Sequence, residues 1–238
     1  MESIHTSQMP RTVSQAASTE RAIFIKKTYM HLAGALLAFV GVEYLFLQIP
    51  ALTALGLKMT QGFNWLIVLG VFMFATSMAE KWAHNSTSRN KQYAGLGLYI
   101  IAQAFIFIPL MYVAQNFTGD GNIIAQAGLL TGFLFTGLTA VVFFTGKDFS
   151  FLRTGLMIGS MVALGLIVAS VIFGFSLGLV FSFAMIVLAS GSILYQTSNL
   201  MNSYRTDQYV AASLGLFASF MLLLWYVMRI LISLQSND

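Results

Sequence analysis

The sequence predicts an all-α integral membrane protein of seven transmembrane helices. Three observations predict it. Only 8% of the 238 residues are charged, against about 25% in soluble domains. Seven apolar blocks of 18 to 23 residues follow one another, each close to the ~20 residues that cross ~30 Å of hydrocarbon as helix. The lysines and arginines collect at one set of block ends, ten against two.

Residues 1–28 form a polar tail rich in Ser, Thr, Gln, Arg and Lys. It offers little to bury and is expected to be largely disordered up to about Thr19. It has no apolar run of signal-peptide length. The seven blocks are 29–48, 62–79, 93–114, 123–144, 154–173, 177–195 and 209–231. They make residues 29–231 the transmembrane domain and leave 232–238 as a short C-terminal tail. Helix is required, because hydrocarbon offers no partner for a backbone N–H or C=O. The alternation of a membrane barrel strand is absent.

Two connections need an argument. Thr118-Gly119-Asp120-Gly121-Asn122 is a strong turn signal between the third and fourth blocks. No charge separates the fifth and sixth blocks. One helix over residues 154–195 would measure about 63 Å at ~1.5 Å per residue, twice the hydrocarbon thickness. The chain is therefore expected to turn at Gly174-Phe175-Ser176, where glycine permits the dihedrals.

Arg11, Arg21, Lys26 and Lys27 lie in the tail. Lys81, Arg89, Lys91, Lys147, Arg153 and Arg205 lie in every second loop, and only Lys58 and Arg229 fall on the other side. Positive residues stay cytoplasmic, which predicts a cytoplasmic N-terminus and an external C-terminus. Placed in these loops, the net charge of +4 reads as a topology signal and argues against nucleic-acid binding. Trp65 and Trp82 flank the second block as interfacial aromatics do.

Ionisable groups inside a bilayer are costly and mark functional candidates. Only Glu43, Arg229 and an interfacial His31 fall within the blocks. Glu43 and Arg229 both lie toward the outer side. They form a candidate outer polar pair, or else two side chains snorkelling separately to the interface. No cysteine is present, which excludes disulfides, thiolate nucleophiles and Cys-ligated metals. No pair of aspartates lies in the spans, and there is no HExxH. A Ser–His hydrolase would have to build on His31 with Ser160 or Ser192. The sequence therefore predicts no enzyme, no cofactor and no metal site. Gly128–Gly132 and Gly155–Gly159 are GxxxG pairs, expected to pack helices within the chain. Thr131, Thr136 and Thr139 would line a polar path or bond back to their own helix.

Specific strings go further. Lys147-Asp148-Phe149-Ser150-Phe151-Leu152 resembles the fourth-to-fifth loop of the Bax inhibitor-1 family. Phe107-Ile108-Pro109-Leu110 resembles the family's proline-containing third helix, where a freed carbonyl implies a kink or a polar neighbour. Leu194-Tyr195-Gln196-Thr197-Ser198-Asn199, then the run from Tyr209 through Leu216-Phe217-Ala218-Ser219, resembles its last two helices. The resemblance covers about residues 26–231 and is nearest to the bacterial YccA-like branch. That branch consists of inner-membrane proteins associated with the membrane protease FtsH. It implies a seven-helix Bax inhibitor-1 fold in a bacterial inner membrane. It also implies a non-enzymatic role in membrane-protein quality control, with FtsH and its associated membrane proteins as partners. The alternative it implies is a calcium or proton leak channel. The family's pH-sensitive leak members carry two aspartates where this chain has Gln196 and Ser219, and neither side chain titrates near neutral pH.

Overall fold

A computed structural model describes residues 12–85, 88–116 and 122–235. Its helices are α1 Ser18–Leu47, α2 Pro50–Met59, α3 Asn64–Ala83, α4 Arg89–Asn116, α5 Ile123–Thr145, α6 Leu152–Phe173, α7 Gly178–Asn202 and α8 Tyr209–Gln235. All but α2 are long and apolar enough to cross a membrane. The seven expected spans are therefore present as helices.

The apolar blocks understate the helices. Helix α1 has 30 residues, about 45 Å at ~1.5 Å per residue, so its first turns stand beyond the hydrocarbon. Intrahelical hydrogen bonding continues there even though the side chains turn polar. Helix α2 is an addition that hydropathy does not announce. Its 10 residues are too few to span, so the number of crossings is unchanged. Proline in its first turn costs no hydrogen bond at that position. Its Gly56 lies against α4: a Cβ there would come within 2.6 Å of Ile108 Cγ2 and 3.5 Å of the Pro109 nitrogen. Helix α4 continues through Pro109 without a break.

The turn between α6 and α7 falls where it is expected. Gly174 ends α6 with φ 73°, a left-handed cap that closes on the Ser170 carbonyl. Of the expected turn at 118–122, residues 118–121 lie outside the described residues.

Helix α8 is the central pillar, packed against α7, α1, α5, α4 and α3, whereas α6 packs chiefly on α7. The core runs along α8 through Leu214, Phe217, Met221 and Met228, all at 2% exposure or less. Phe39 of α1 meets Phe107 and Phe217 at ring distances of 5.3 and 6.4 Å. Trp225 stacks on Trp65 at 6.1 Å and meets Phe107 edge-on at 5.0 Å. Trp65 thus belongs to a packed aromatic cluster as well as to a helix end.

The expected disorder up to Thr19 needs correction. Val13–Gln15 form a short 3-10 turn and Val13 is fully buried. Its N–H donates to Tyr204 O at 2.9 Å, Thr12 bridges Arg205, and the Ser14 hydroxyl donates to Asn202 O. Arg21 donates to the carbonyls of Val13 and Ser14. The buried Val13 side chain, the bridge to Tyr204 and Arg205 and the Ser14 bond to Asn202 O fix this segment at the α7–α8 loop, and Arg21 ties it to α1. Residues 1–11 lie outside the described residues.

Candidate functional site

The sequence singles out the seam between α7 and α8, and its geometry follows from small residues. Gly215 allows the Gln196 side chain to lie across α8: a Cβ at Gly215 would meet Gln196 Oε1 at 2.9 Å. One helical turn on, Ser219 is buried. Its hydroxyl shares a 2.8 Å hydrogen bond with Ser192 and lies 3.0 Å from Gly215 O. Gln196 and Ser219 therefore occupy one seam but do not form the amide–hydroxyl link that their positions suggest. Ser192, one turn before Gln196, takes the bond. Neither residue of this hydroxyl pair changes charge near neutral pH.

Below the seam, Ser198 clips the α5–α6 loop to α7. Its hydroxyl donates to Asp148 Oδ1 at 3.0 Å and accepts the Phe149 N–H at 2.9 Å. The Ser150 N–H and hydroxyl also donate to Asp148, at 2.8 and 3.1 Å. The Ser150 backbone N–H, with the Ser198 and Ser150 hydroxyls, holds the Asp148 carboxyl below the usual aspartate range. The loop string quoted from the sequence is thus a satisfied turn motif anchored by a serine 50 residues away.

Nearby, Thr139 of α5 and Thr197 of α7 face the Tyr29 hydroxyl of α1. The three hydroxyl oxygens are buried close to one another. Thr131 is buried without a partner. Thr131 and Thr139 point into the bundle and do not bond back to α5, whereas Thr136 is exposed. No periodicity in the sequence distinguishes these hydroxyls from back-bonded ones.

The structure does not bring Glu43 and Arg229 together. Among the described residues the one ion pair is Arg205–Asp207, at 2.8 Å. The Arg205 guanidinium holds Asp207 below the usual aspartate range. Glu43 is 4% exposed and neither carboxylate oxygen has a hydrogen-bond partner. It follows Phe39 by one turn on the buried face of α1, and Arg229 is half-buried on α8. A snorkelling Glu43 is therefore ruled out as well. Among the described residues no group of three or more His, Cys, Asp and Glu comes together.

The close helix approaches also differ from the GxxxG expectation. Gly128, Gly132 and Gly155 have nothing within 4 Å of an added Cβ, and Gly159 meets Leu188 of α7. The tightest crossing is at Gly95, outside either motif, where a Cβ would lie 2.5 Å from Ala79 O and 2.6 Å from Ala83 N.

The family profile described as "Inhibitor of apoptosis-promoting Bax1" matches residues 21–237. The chain belongs to the Bax inhibitor-1 family. Among its relatives, "Modulator of FtsH protease YccA" of Escherichia coli K12 is 30% identical over 196 residues, covering 82% of this chain and 83% of that protein. The same match in a second E. coli strain is named "Inner membrane protein YccA". "Protein LIFEGUARD 4" of Arabidopsis thaliana is 27% identical over 201 residues, covering 82% of this chain and 78% of the relative. A Pseudomonas aeruginosa protein is 33% identical over 112 residues, which is 47% of this chain and half of that relative's length. The seven long apolar helices and the inner-membrane relatives agree on a multi-pass protein of a bacterial inner membrane. Within this Bax inhibitor-1 chain, Gln196 and Ser219, where the resemblance implies acids in the family's leak members, share the seam with Gly215 and Ser192.

Proposed function

We propose that this chain is a non-enzymatic modulator of membrane-protein quality control that acts through an FtsH-type membrane protease. The observation that carries the reading is the α7–α8 seam. A hydroxyl pair and a glutamine packed on glycine hold two helices together at any pH near neutrality. A pH-gated leak needs acids there, since two neighbouring carboxyls shift one another's titration. The relation to the E. coli modulator over four-fifths of both chains supports the same reading.

The orientation proposed is N-terminus inside and C-terminus outside, from the ten-to-two split of Lys and Arg. A C-terminal reporter active only in the cytoplasm is then expected to be silent, and a bright signal would overturn the orientation. The turn at Val13–Gln15 is anchored at the Lys/Arg-rich end. We take residues 1–11, polar by sequence, as the segment the protease grips. Deleting them is expected to slow turnover of the protein by FtsH, and unchanged turnover counts against the handle.

The second reading, an ion leak of another gating type, is favoured by the buried, unpartnered Glu43 carboxyl. Two assays separate the readings. Retention of FtsH on the immobilised protein supports the modulator. Calcium flux through liposomes of the pure protein, rising several-fold from about pH 8 to about pH 6 where a raised carboxyl pKa would act, supports the leak.

A further inference from the structure

The Lys/Arg-rich end of the bundle carries a second feature, remote from the α7–α8 seam. Helices α1 and α4 border a shallow, open groove of about 370 Å³. Its floor is Gly34, Ala35, Leu96 and Gly97. A Cβ at Gly34 or Gly97 would meet nothing within 4 Å, so these glycines leave open space instead of a helix contact. The groove opens on the outside of the bundle, where Met30 and Tyr93 are 62% and 44% exposed.

One end of this apolar groove carries polar groups, and two cationic side chains lie beyond them around Tyr209. His31 and Tyr93 line it there. The His31 Nδ1 lies 2.7 Å from Lys27 O. A carbonyl only accepts, so Nδ1 carries the proton and, in the neutral ring, Nε2 accepts from the Tyr93 hydroxyl at 3.0 Å. Tyr209 packs beside His31 at 4.9 Å. Lys27 Nζ and the Arg89 guanidinium sit over the Tyr209 ring, at 5.2 and 4.6 Å. Lys27 and Arg89 are both exposed. Arg89 is oriented by Gln92 Oε1 and Asp207 O, and both contacts use a single nitrogen. Asp207, the carboxylate nearest in effect to Arg89, is engaged at two points by Arg205. Neither Lys27 nor Arg89 has a carboxylate partner among the described residues.

We propose that the α1–α4 groove binds an anionic phospholipid, with an acyl chain on the Gly34–Gly97 floor and the phosphate held by Lys27, Arg89 and the His31–Tyr93 pair. The charge complementarity commits the occupant. A neutral apolar ligand would leave two basic side chains unused, and a free phosphate would leave the groove empty. Tyr93 and Tyr209 open their apolar blocks, the helix-end position where interfacial tyrosine is favoured, and basic side chains beside a helix end attract anionic headgroups.

The test is native mass spectrometry of the full chain in detergent with equal phosphatidylglycerol and phosphatidylcholine. The parent protein is expected to retain about 30-fold more phosphatidylglycerol, the size expected of two basic side chains near one headgroup. Gly34→Leu with Gly97→Leu fills the floor and is expected to lose both lipids. Lys27→Gln with Arg89→Gln keeps an amide donor where Arg89 bonds Gln92 and Asp207 O and is expected to lower phosphatidylglycerol to the level of phosphatidylcholine; Lys27→Gln alone, whose side chain faces only the Tyr209 ring, is expected to lower it part of the way. Millimolar sn-glycerol 3-phosphate is expected to displace nothing. Equal retention of the two lipids by the parent, unchanged retention in either double variant, or displacement by glycerol phosphate would overturn the proposal.

Discussion

Helices α8 and α6 are both membrane-length and α6 is the more apolar, yet 72% of the apolar stretch of α8 is buried inside the protein against 6% for α6. In water the more apolar helix would occupy the core. In a bilayer the lipid tails are as apolar as leucine, so hydropathy does not sort inside from outside. Packing and hydroxyl contacts sort them instead. Helix α8 presents Gly215 to Gln196 and Ser219 to Ser192, and sets Phe217 against Phe39 and Tyr99. Helix α6 buries Ala163 alone, and its Gly155 has open space around it.

The comparison can be broken most directly by cavities. Phe217→Ala removes a fully buried ring and is expected to cost about 3 kcal/mol or more. Ile158→Ala on α6 removes a side chain that is 55% exposed and is expected to cost under about 0.5 kcal/mol. Denaturant unfolding in a mild detergent measures both. Comparable losses at the two sites would show that α6 is packed in the folded protein, against this account.

Small residues sharpen the same contrast with a smaller effect. Gly95→Ala drives a methyl into the backbone of α3 and is expected to destabilise by about 1–3 kcal/mol. Gly155→Ala enters open space and gains helix propensity, up to about 1 kcal/mol where tertiary packing does not interfere. Thermal melting of the two variants should move in opposite directions. Loss of stability in both would place α6 in a tighter contact than the one described.

The smallest effect concerns the α5–α6 loop. A carboxyl whose folded-state pKa is depressed stabilises the fold above its unfolded pKa, and that contribution is lost as pH falls through the folded value. Asp148 is such a group, held down by the Ser150 N–H and the Ser198 hydroxyl. Ser198→Ala removes the second, so Asp148 is expected to titrate closer to the ordinary ~3.9. The loop then loosens at a higher pH on acidification. Carboxyl chemical shifts of Asp148 and amide exchange at Phe149 check this. A titration unchanged by the substitution would show that Ser198 does not hold the carboxylate.

The contrast also explains what was legible in the sequence. Span length and number follow from hydrocarbon thickness, so the seven blocks and the Gly174 turn could be read directly. The α2 helix could not be read from hydropathy, because ten residues at an interface need not be continuously apolar; Pro50 at its start was the available signal. The anchoring of Val13 depends on a pocket made by a loop about 190 residues away, and nothing local encodes that. The resemblance names Gln196 and Ser219, and α7 and α8 set both along one seam. Their partners, Gly215 and Ser192, depend on the rotation of two helices about their axes. Glu43 and Arg229 both fall toward the outer side by sequence but are not paired, because lying toward one side fixes neither depth nor azimuth.

The central claim, that this bundle is a closed scaffold acting on a membrane protease, is tested most directly by degradation in proteoliposomes. FtsH and a membrane-anchored substrate would be co-reconstituted with and without an equimolar amount of this protein, and substrate turnover followed by gel. The account predicts slower turnover in its presence, whether it acts as inhibitor or competes as substrate. Turnover unchanged at several-fold excess of the protein would contradict it.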